Sequence, residues 1–124
     1  MNLVDSSAWL EYFADGPNAS HFAPVVQQPD RLIVPAVVIY EVFKVVLRES
    51  GENAAMQVCG AMQKGRVVDL DFKLALAAGK LSLALSLPMA DAMILATARE
   101  HGATIWTLDA DFREIPGVKY FPKK

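Results

Sequence analysis

The stretch ATIWTLDADF, residues Ala103 to Phe112, combines a predicted strand with the first candidate site residues. Its first six residues are apolar, β-branched or aromatic, so we predict a short buried strand over residues 103–108. Asp109 and Asp111 follow where that strand ends. In an open α/β sheet, ligands bind outside the carboxyl ends of the strands, and these carboxylates are therefore candidates for a functional site. Either acid could instead only cap a short helix that begins at Phe112.

The rest of the chain alternates short apolar segments with helical ones. We predict strands over residues 2–4, 31–34, 67–70, 103–108 and 118–121. We predict helices over residues 8–13, 18–28, 36–49, 52–64, 72–85 and 89–100, with Pro35 at the first helical position of the third. Such alternation is typical of an α/β fold with a parallel sheet covered on both faces. Because we find no internal repeat or linker, we interpret residues 1–124 as a single domain.

Composition excludes several classes of protein. Hydrophobic residues make up 53% and charged residues 21%, which indicates a packed globular chain. The net charge is −2, whereas a simple non-specific nucleic-acid binder is normally basic. Cys59 is the only cysteine, which excludes an internal disulfide and a cysteine-based zinc site. The first residues lack a basic flank, and the apolar region Leu32–Leu47 is too short and too charged to span a membrane, so we expect a cytoplasmic protein.

Asp5 and Asp91 are acids in settings similar to that of Asp109. Asp5 follows the first predicted strand and precedes two hydroxyl residues. Asp91 lies in the first turn of the last long helix and is the only charge between Lys80 and Arg99. We expect that helix to pack on the sheet, with Asp91 directed towards the strand ends. The alternatives are that Asp5 caps a helix and that Asp91 only interacts with a helix dipole.

Glu41 is a charged residue on a mostly apolar helix. Between Ala36 and Leu47 the only other charge is Lys44. A helix that is apolar nearly all round is normally buried, and a buried carboxylate must be paired or bound to metal. The alternative is an exposed ion pair between Glu41 and Lys44, which contributes only a few tenths of a kcal/mol.

Four or five carboxylates in one cleft require a positive partner, because their mutual repulsion raises their pKa values. The chain offers no cluster of histidines for this purpose. Oxygen ligands suit Mg²⁺ or Mn²⁺, which keep several waters and bind substrate phosphates. Such an ion could orient water and stabilise the leaving oxygen of a phosphodiester. The negative net charge is then compatible with a polyanionic substrate.

Four motifs occur in a specific order along the chain. They are VDSS at residues 4–7, VVIYEV at 37–42, LPMADAMILATA from residue 87 and TLDADF from residue 107. HGAT precedes the last motif and IPGV follows it. With this ordered set the sequence resembles the PIN-domain ribonucleases, and within them the VapC-type toxins of VapBC toxin–antitoxin pairs. The resemblance covers nearly the whole chain.

The resemblance implies a PIN-like three-layer α/β/α sandwich with strand order 3-2-1-4-5. It also implies Mg²⁺- or Mn²⁺-dependent cleavage of RNA, a homodimer, and a cognate antitoxin that covers the site and can repress the shared operon. The residues it assigns to metal binding and catalysis are Asp5, Glu41, Asp91 and Asp109, and those it assigns to a supporting role are Asp111, Ser6 and Thr107.

Two other functions remain open at this point. A phosphatase of a D-x-D family would carry a second aspartate two residues after the first, where this chain has Ser7. A receiver-like or purely interacting domain would bind Mg²⁺ without hydrolysis, but a receiver has paired acids near its start and this chain has only Asp5 there.

Candidate contacts with RNA and with a partner chain can also be named. The residues we consider for RNA phosphates are Arg31, Lys44, Arg48, Lys123 and Lys124. Tyr40, Phe43 and Leu47 form an apolar stripe on the third helix, and an exposed apolar stripe usually marks an interaction site. We therefore expect a dimer to bury part of this helix and of the next one, and an antitoxin segment to enter the acid-lined cleft.

Overall fold

The computed structural model describes all of residues 1–124 and confirms the alternation of strands and helices. The strands are β1 (Asn2–Val4), β2 (Leu32–Pro35), β3 (Arg66–Val68), β4 (Thr104–Thr107) and β5 (Val118–Tyr120). The helices are α1 (Ser6–Phe13), α2 (Ala19–Val26), α3 (Ala36–Ser50), α4 (Glu52–Met62), α5 (Phe72–Leu85) and α6 (Met89–His101). Two short 3₁₀ helices, Pro29–Arg31 and Ala110–Phe112, precede β2 and follow β4.

The five strands form one parallel sheet in the order β3-β2-β1-β4-β5, with helices on both faces. The predicted three-layer fold and strand order are therefore confirmed. Strand β1 lies at the centre, where Asn2 is paired with Leu32 on one side and with Thr104 on the other. Leu3 is completely buried, as expected for a strand covered on both faces. Because the strands are parallel, the residues that follow β1 and β4 meet at one edge of the sheet.

Several predicted boundaries differ by one or two residues. Pro35 does not begin α3; its extended backbone (φ −63°, ψ 140°) makes it the last residue of β2 and the residue before the helix. Strand β3 ends at Val68 instead of residue 70. Asp71 then caps α5, because its Oδ1 accepts a hydrogen bond of 2.8 Å from the backbone N–H of Leu74.

Helix α3 is buried on one side only, although its composition is apolar nearly all round. Val38 and Val42 are its buried residues. Tyr40 is 61% exposed and Leu47 is 41% exposed, whereas Phe43 is partly buried. Helices α1, α4 and α6 and strand β2 pack against α3, and the side that carries Tyr40 and Leu47 remains exposed. The apolar stripe is therefore largely on the surface, as expected for an interaction site.

The core is one continuous cluster of buried apolar side chains between the sheet and its helices. The largest of them are Trp9, Phe22 and Phe112.

No single helix is long and apolar enough to cross a membrane. Only α5 and α6 taken together reach the required length and composition, and the two helices are bent by 116° relative to each other.

Candidate active site

Asp5 lies directly after the central strand and is held by hydroxyl groups. It is 2% exposed, and its backbone N–H donates to the carbonyl of Trp106 at 3.0 Å. Its Oδ2 accepts hydrogen bonds of 2.8 Å from Thr107 Oγ1 and from Ser7 Oγ. The Asp5 carboxylate makes no capping hydrogen bond to α1, so the helix-cap alternative is wrong for this residue. The only hydrogen-bond partner of Oδ1 is Ser6 Oγ, at a distance of 3.5 Å.

The two hydroxyls connect Asp5 to the end of β4. Ser7 Oγ accepts a hydrogen bond of 3.0 Å from the N–H of Leu108, and Thr107 Oγ1 accepts one of 2.9 Å from the N–H of Asp109. Each hydroxyl thus accepts from the backbone and has its single proton available for Asp5. Ser7 is not among the predicted supporting residues, which are Asp111, Ser6 and Thr107. Both serines follow Asp5, and only the position of β4 shows that Ser7 faces it.

Asp91, Asp109 and Asp111 form a compact group of carboxylates. One carboxylate oxygen from each of the three residues lies within 4.8 Å of the other two, close enough for all three to bind one metal ion. Asp91 is 8% exposed, at the start of α6. Asp109 Oδ1 accepts a hydrogen bond of 2.9 Å from the N–H of Asp111, so Asp109 does cap the short 3₁₀ helix. That bond uses one oxygen of Asp109, so the cap and a role in the site are compatible.

Glu41 is directed from α3 towards the same acids. Its side chain is half-buried, and its Oε1 is buried without any hydrogen-bond partner. The predicted alternative of an ion pair with Lys44 is not found; the Lys44 ammonium lies instead 5.7 Å from the centre of the Tyr40 ring. A buried carboxylate oxygen without a partner is costly, so this atom is suited to bind a ligand that the chain itself does not supply.

The pKa values show that the carboxylates repel one another. Burial, followed by the charges of Asp109 and Asp5, raises the pKa of Asp91 to about 8, with a further contribution from Asp111. Burial also raises the pKa of Asp5, against the hydrogen bonds from its hydroxyl neighbours. The pKa of Glu41 is raised by burial and then by the charge of Asp5. The site is therefore short of positive charge.

The acids line a cleft of about 1140 Å³ at the carboxyl edge of the sheet, between α1, α3 and α4. One part of its wall is apolar and includes Leu10, Phe13, Val45 and Val58. The acids that line it are Asp5, Glu11, Glu41, Glu49, Asp91 and Asp109, and the only basic residues are Lys123 and Lys124. The cleft is thus an acidic pocket continuous with an apolar surface.

The candidate RNA-contacting residues are not all near this cleft. Arg31 precedes β2 and is therefore at the amino edge of the sheet, opposite the acids. This position argues against a contact between Arg31 and RNA bound at the acids. Lys44 and Arg48 are on α3 outside the cleft, and Arg48 lies 3.7 Å from Glu49. Only Lys123 and Lys124 are in the cleft itself.

The donor set fits a hard divalent cation. Every candidate ligand is a carboxylate oxygen, which is the donor type that Mg²⁺ and Mn²⁺ prefer. The unpartnered Oε1 of Glu41 and the raised pKa values of Asp5 and Asp91 are both expected where a positive charge completes a site.

Comparison with known proteins is consistent with this architecture. The toxin–antitoxin complex from Klebsiella pneumoniae has a chain that is 21% identical, with a TM-score of 0.84, covering 98% of this chain and 99% of that one. VapC20 of Mycobacterium tuberculosis, a sarcin–ricin loop cleaving toxin, is 20% identical, with a TM-score of 0.78 and coverage of 94% and 95%. DNA-bound VapBC from Salmonella typhimurium is 17% identical, with a TM-score of 0.74 and coverage of 98% of each chain. At these identities the likeness establishes a shared fold.

The sequence itself can be assigned to a family. No curated protein matches it significantly. The profile of the PIN domain matches residues 3–118, a range that includes residues of all five strands and all the candidate acids. The chain belongs to the PIN domain family.

Proposed function

We propose that this chain is an endoribonuclease dependent on Mg²⁺ or Mn²⁺, and the toxin component of a type II toxin–antitoxin system. One observation carries the proposal: carboxylates from the ends of β1 and β4 and from α3 and α6 line one cleft, and Oε1 of Glu41 among them has no hydrogen-bond partner in the chain. The PIN domain family and the likeness to toxin structures support the same assignment.

Asp5, Glu41, Asp91 and Asp109 are the residues that would hold the metal, and Asp111 is near enough to Asp91 and Asp109 to contribute. When bound, Mg²⁺ or Mn²⁺ supplies a water of lowered pKa and positive charge for the phosphodiester oxygens.

In this proposal the hydroxyls of Ser7 and Thr107 support the Asp5 carboxylate. Both are placed to donate to Oδ2 of Asp5, which favours the ionised carboxylate and fixes its orientation. Oδ1 then keeps only a long contact, to Ser6, and is available for a ligand. Both hydroxyls also accept hydrogen bonds from backbone N–H groups after β4, so they fix the position of Asp5 relative to Asp109.

We also propose that the cleft is the binding site of an antitoxin segment. Its apolar wall can contact apolar side chains, and its acids can pair with a basic residue of that segment. Such a residue would displace metal or substrate and so inhibit the enzyme. The similar structures include toxin–antitoxin complexes, some of them bound to DNA, which supports a hetero-oligomer that can also bind its operon.

A homodimer is the remaining part of the proposal. Tyr40 and Leu47 on α3 are exposed, as is Met56 on α4 (57%), so the neighbouring faces of these helices present apolar surface. Exposed apolar surface of this kind usually marks a protein interface.

The test of the nuclease is cleavage of total RNA by the purified chain with Mn²⁺ or Mg²⁺, and with EDTA. We expect cleavage that EDTA abolishes, and a loss of most activity in D5N, E41Q, D91N and D109N while circular dichroism shows a folded chain. D69N is the matched control, because Asp69 is an exposed acid near the end of β3 and outside the cleft. Full activity in any two of the four variants would contradict the proposal.

A further inference from the structure

The segment Phe121–Lys124, which follows β5, is attached to the body of the protein at three points. The N–H of Phe121 donates to the carbonyl of Thr107 at 2.9 Å, which continues the pairing of β5 with β4. The Phe121 ring stacks on His21 with 4.4 Å between ring centres, and contacts Phe22 edge-to-face at 5.5 Å. The Pro122 carbonyl accepts a hydrogen bond of 3.1 Å from Asn18 Nδ2.

Asn18 connects this segment to the wall of the cleft. It is 1% exposed, and its backbone N–H donates to Glu11 Oε2 at 2.8 Å while its side chain holds Pro122. Glu11 itself lines the cleft. A buried amide that donates to a loop carbonyl is a specific restraint on the position of that loop, because an unpaired group there would be costly.

Pro122 is the last residue of this segment that is held by a hydrogen bond, and the basic residues Lys123 and Lys124 follow it. Lys123 follows the fixed Pro122 directly, and Lys123 and Lys124 are the only cations that line the cleft. Both are exposed, and neither takes part in an ion pair. Their ammonium groups are therefore free to contact an anion that enters the cleft.

We propose that the segment Phe121–Lys124 is a positioning element that presents Lys123 and Lys124 to backbone phosphates of the bound RNA. The inference rests on the proposed nuclease function and adds to it the residues that hold the substrate beside the acids. Six acids line the cleft, so a strand of phosphates needs local positive charge to lie there. Asn18 and the aromatic stack keep that charge at the cleft, although the overall chain is acidic.

The experiment is steady-state cleavage of a labelled RNA oligonucleotide that spans a cleavage site mapped in total RNA, with Mn²⁺ and varied salt. We expect the K123Q/K124Q variant to show a raised KM and a nearly unchanged kcat. Each phosphate contact to a single strand contributes about 0.7 to the slope of log affinity against log salt, so the loss of two should reduce the slope by about 1.4.

Two further variants separate a positioning role from a structural one. K123R/K124R keeps the charges and should restore KM and the salt slope. N18D is nearly isosteric, but its ionised carboxylate cannot donate to Pro122, so it should raise KM without altering kcat. Gln28→Glu, an exposed change from amide to carboxylate away from the cleft, serves as the control. A melting temperature is measured for every variant.

The outcomes distinguish the inference from the function on which it rests. If the wild type shows no metal-dependent cleavage, both are overturned. If the wild type cleaves and K123Q/K124Q keeps its KM and salt slope, only the inference fails. Increased activity of K123Q/K124Q at low Mn²⁺ would also overturn it, because the lysines would then compete with metal for the acids.

Discussion

Replacement of Asp91 by asparagine tests whether this side chain is an acid of the metal site or only interacts with the dipole of α6. The two roles predict opposite changes in the melting temperature of the metal-free protein. Asp91 is nearly buried beside Asp109 and Asp111, and its pKa is raised to about 8 from an ordinary value of 3.8. At pH 7.5 the folded protein therefore favours a protonated Asp91, whereas the unfolded chain holds it ionised. Asparagine is neutral in both states and removes that cost of folding.

The size of the effect follows from the pKa difference. One pH unit between folded and unfolded pKa values corresponds to about 1.4 kcal/mol. D91N should therefore gain at least the equivalent of one such unit, about 1.4 kcal/mol. Unfolding entropy is about 2.1 cal/mol/K per residue, or about 0.26 kcal/mol/K for 124 residues, so the melting temperature should rise by about 5 °C.

The helix-dipole role predicts the opposite sign. An acid in the first turn of a helix contributes about 0.3–1 kcal/mol of stability, and its loss would lower the melting temperature by about 1–4 °C. The assay is thermal unfolding in EDTA, with D69N as the control. A melting temperature of D91N below that of the wild type would refute the reasoning.

The pH dependence gives an independent check with a defined direction. Between pH 3.8 and about 8 the folded wild type binds more protons than the unfolded chain, so its stability falls as the pH rises. D91N lacks this contribution. The difference between the two melting temperatures should therefore be largest near pH 8 and should decrease towards pH 4.

Three further predictions concern metal, the hydroxyl network and association. Mn²⁺ at a hundred times its Kd should stabilise the wild type by about 2.7 kcal/mol, or about 10 °C, and an equal shift in D91N would argue against the acid site. Ser7→Ala leaves the N–H of Leu108 unpaired and should cost about 1–3 kcal/mol in urea denaturation, whereas Ser6→Ala should cost little; equal losses would be inconsistent with the network. Phe43→Asp should convert a dimer to a monomer in light scattering, and a strictly monomeric wild type would exclude the dimer.

The sequence predicted the fold because the local and the long-range patterns agree. Short β-branched runs bounded by Gly or Pro marked the strands, and the ordered motifs implied the strand order that the structure shows. Burial was harder to predict. The composition of α3 suggested a buried helix, but composition does not show which elements cover it, and only one side is covered.

Some of the site residues could likewise be predicted from the sequence and others could not. The positions of Asp5 and Asp109 after strands could be predicted, since parallel strands end at one edge. Strand polarity also separates Arg31 from the acids, because Arg31 precedes its strand and the acids follow theirs. The role of Ser7 could not be found, because its partner Leu108 is 101 residues away.

The central position of β1 determines when the sheet and its site can be completed during synthesis. Strand β1 lies in the middle of the sheet, and one of its two neighbours, β4, comes after β2 and β3 in the chain. Thr107, which holds Asp5, is 102 residues further along the chain. During synthesis Asp5 therefore remains without the hydrogen bond from Thr107 until β4 has emerged. The nuclease proposed here would gain its complete site only after β4 and Asp109 have emerged and β4 has joined the sheet.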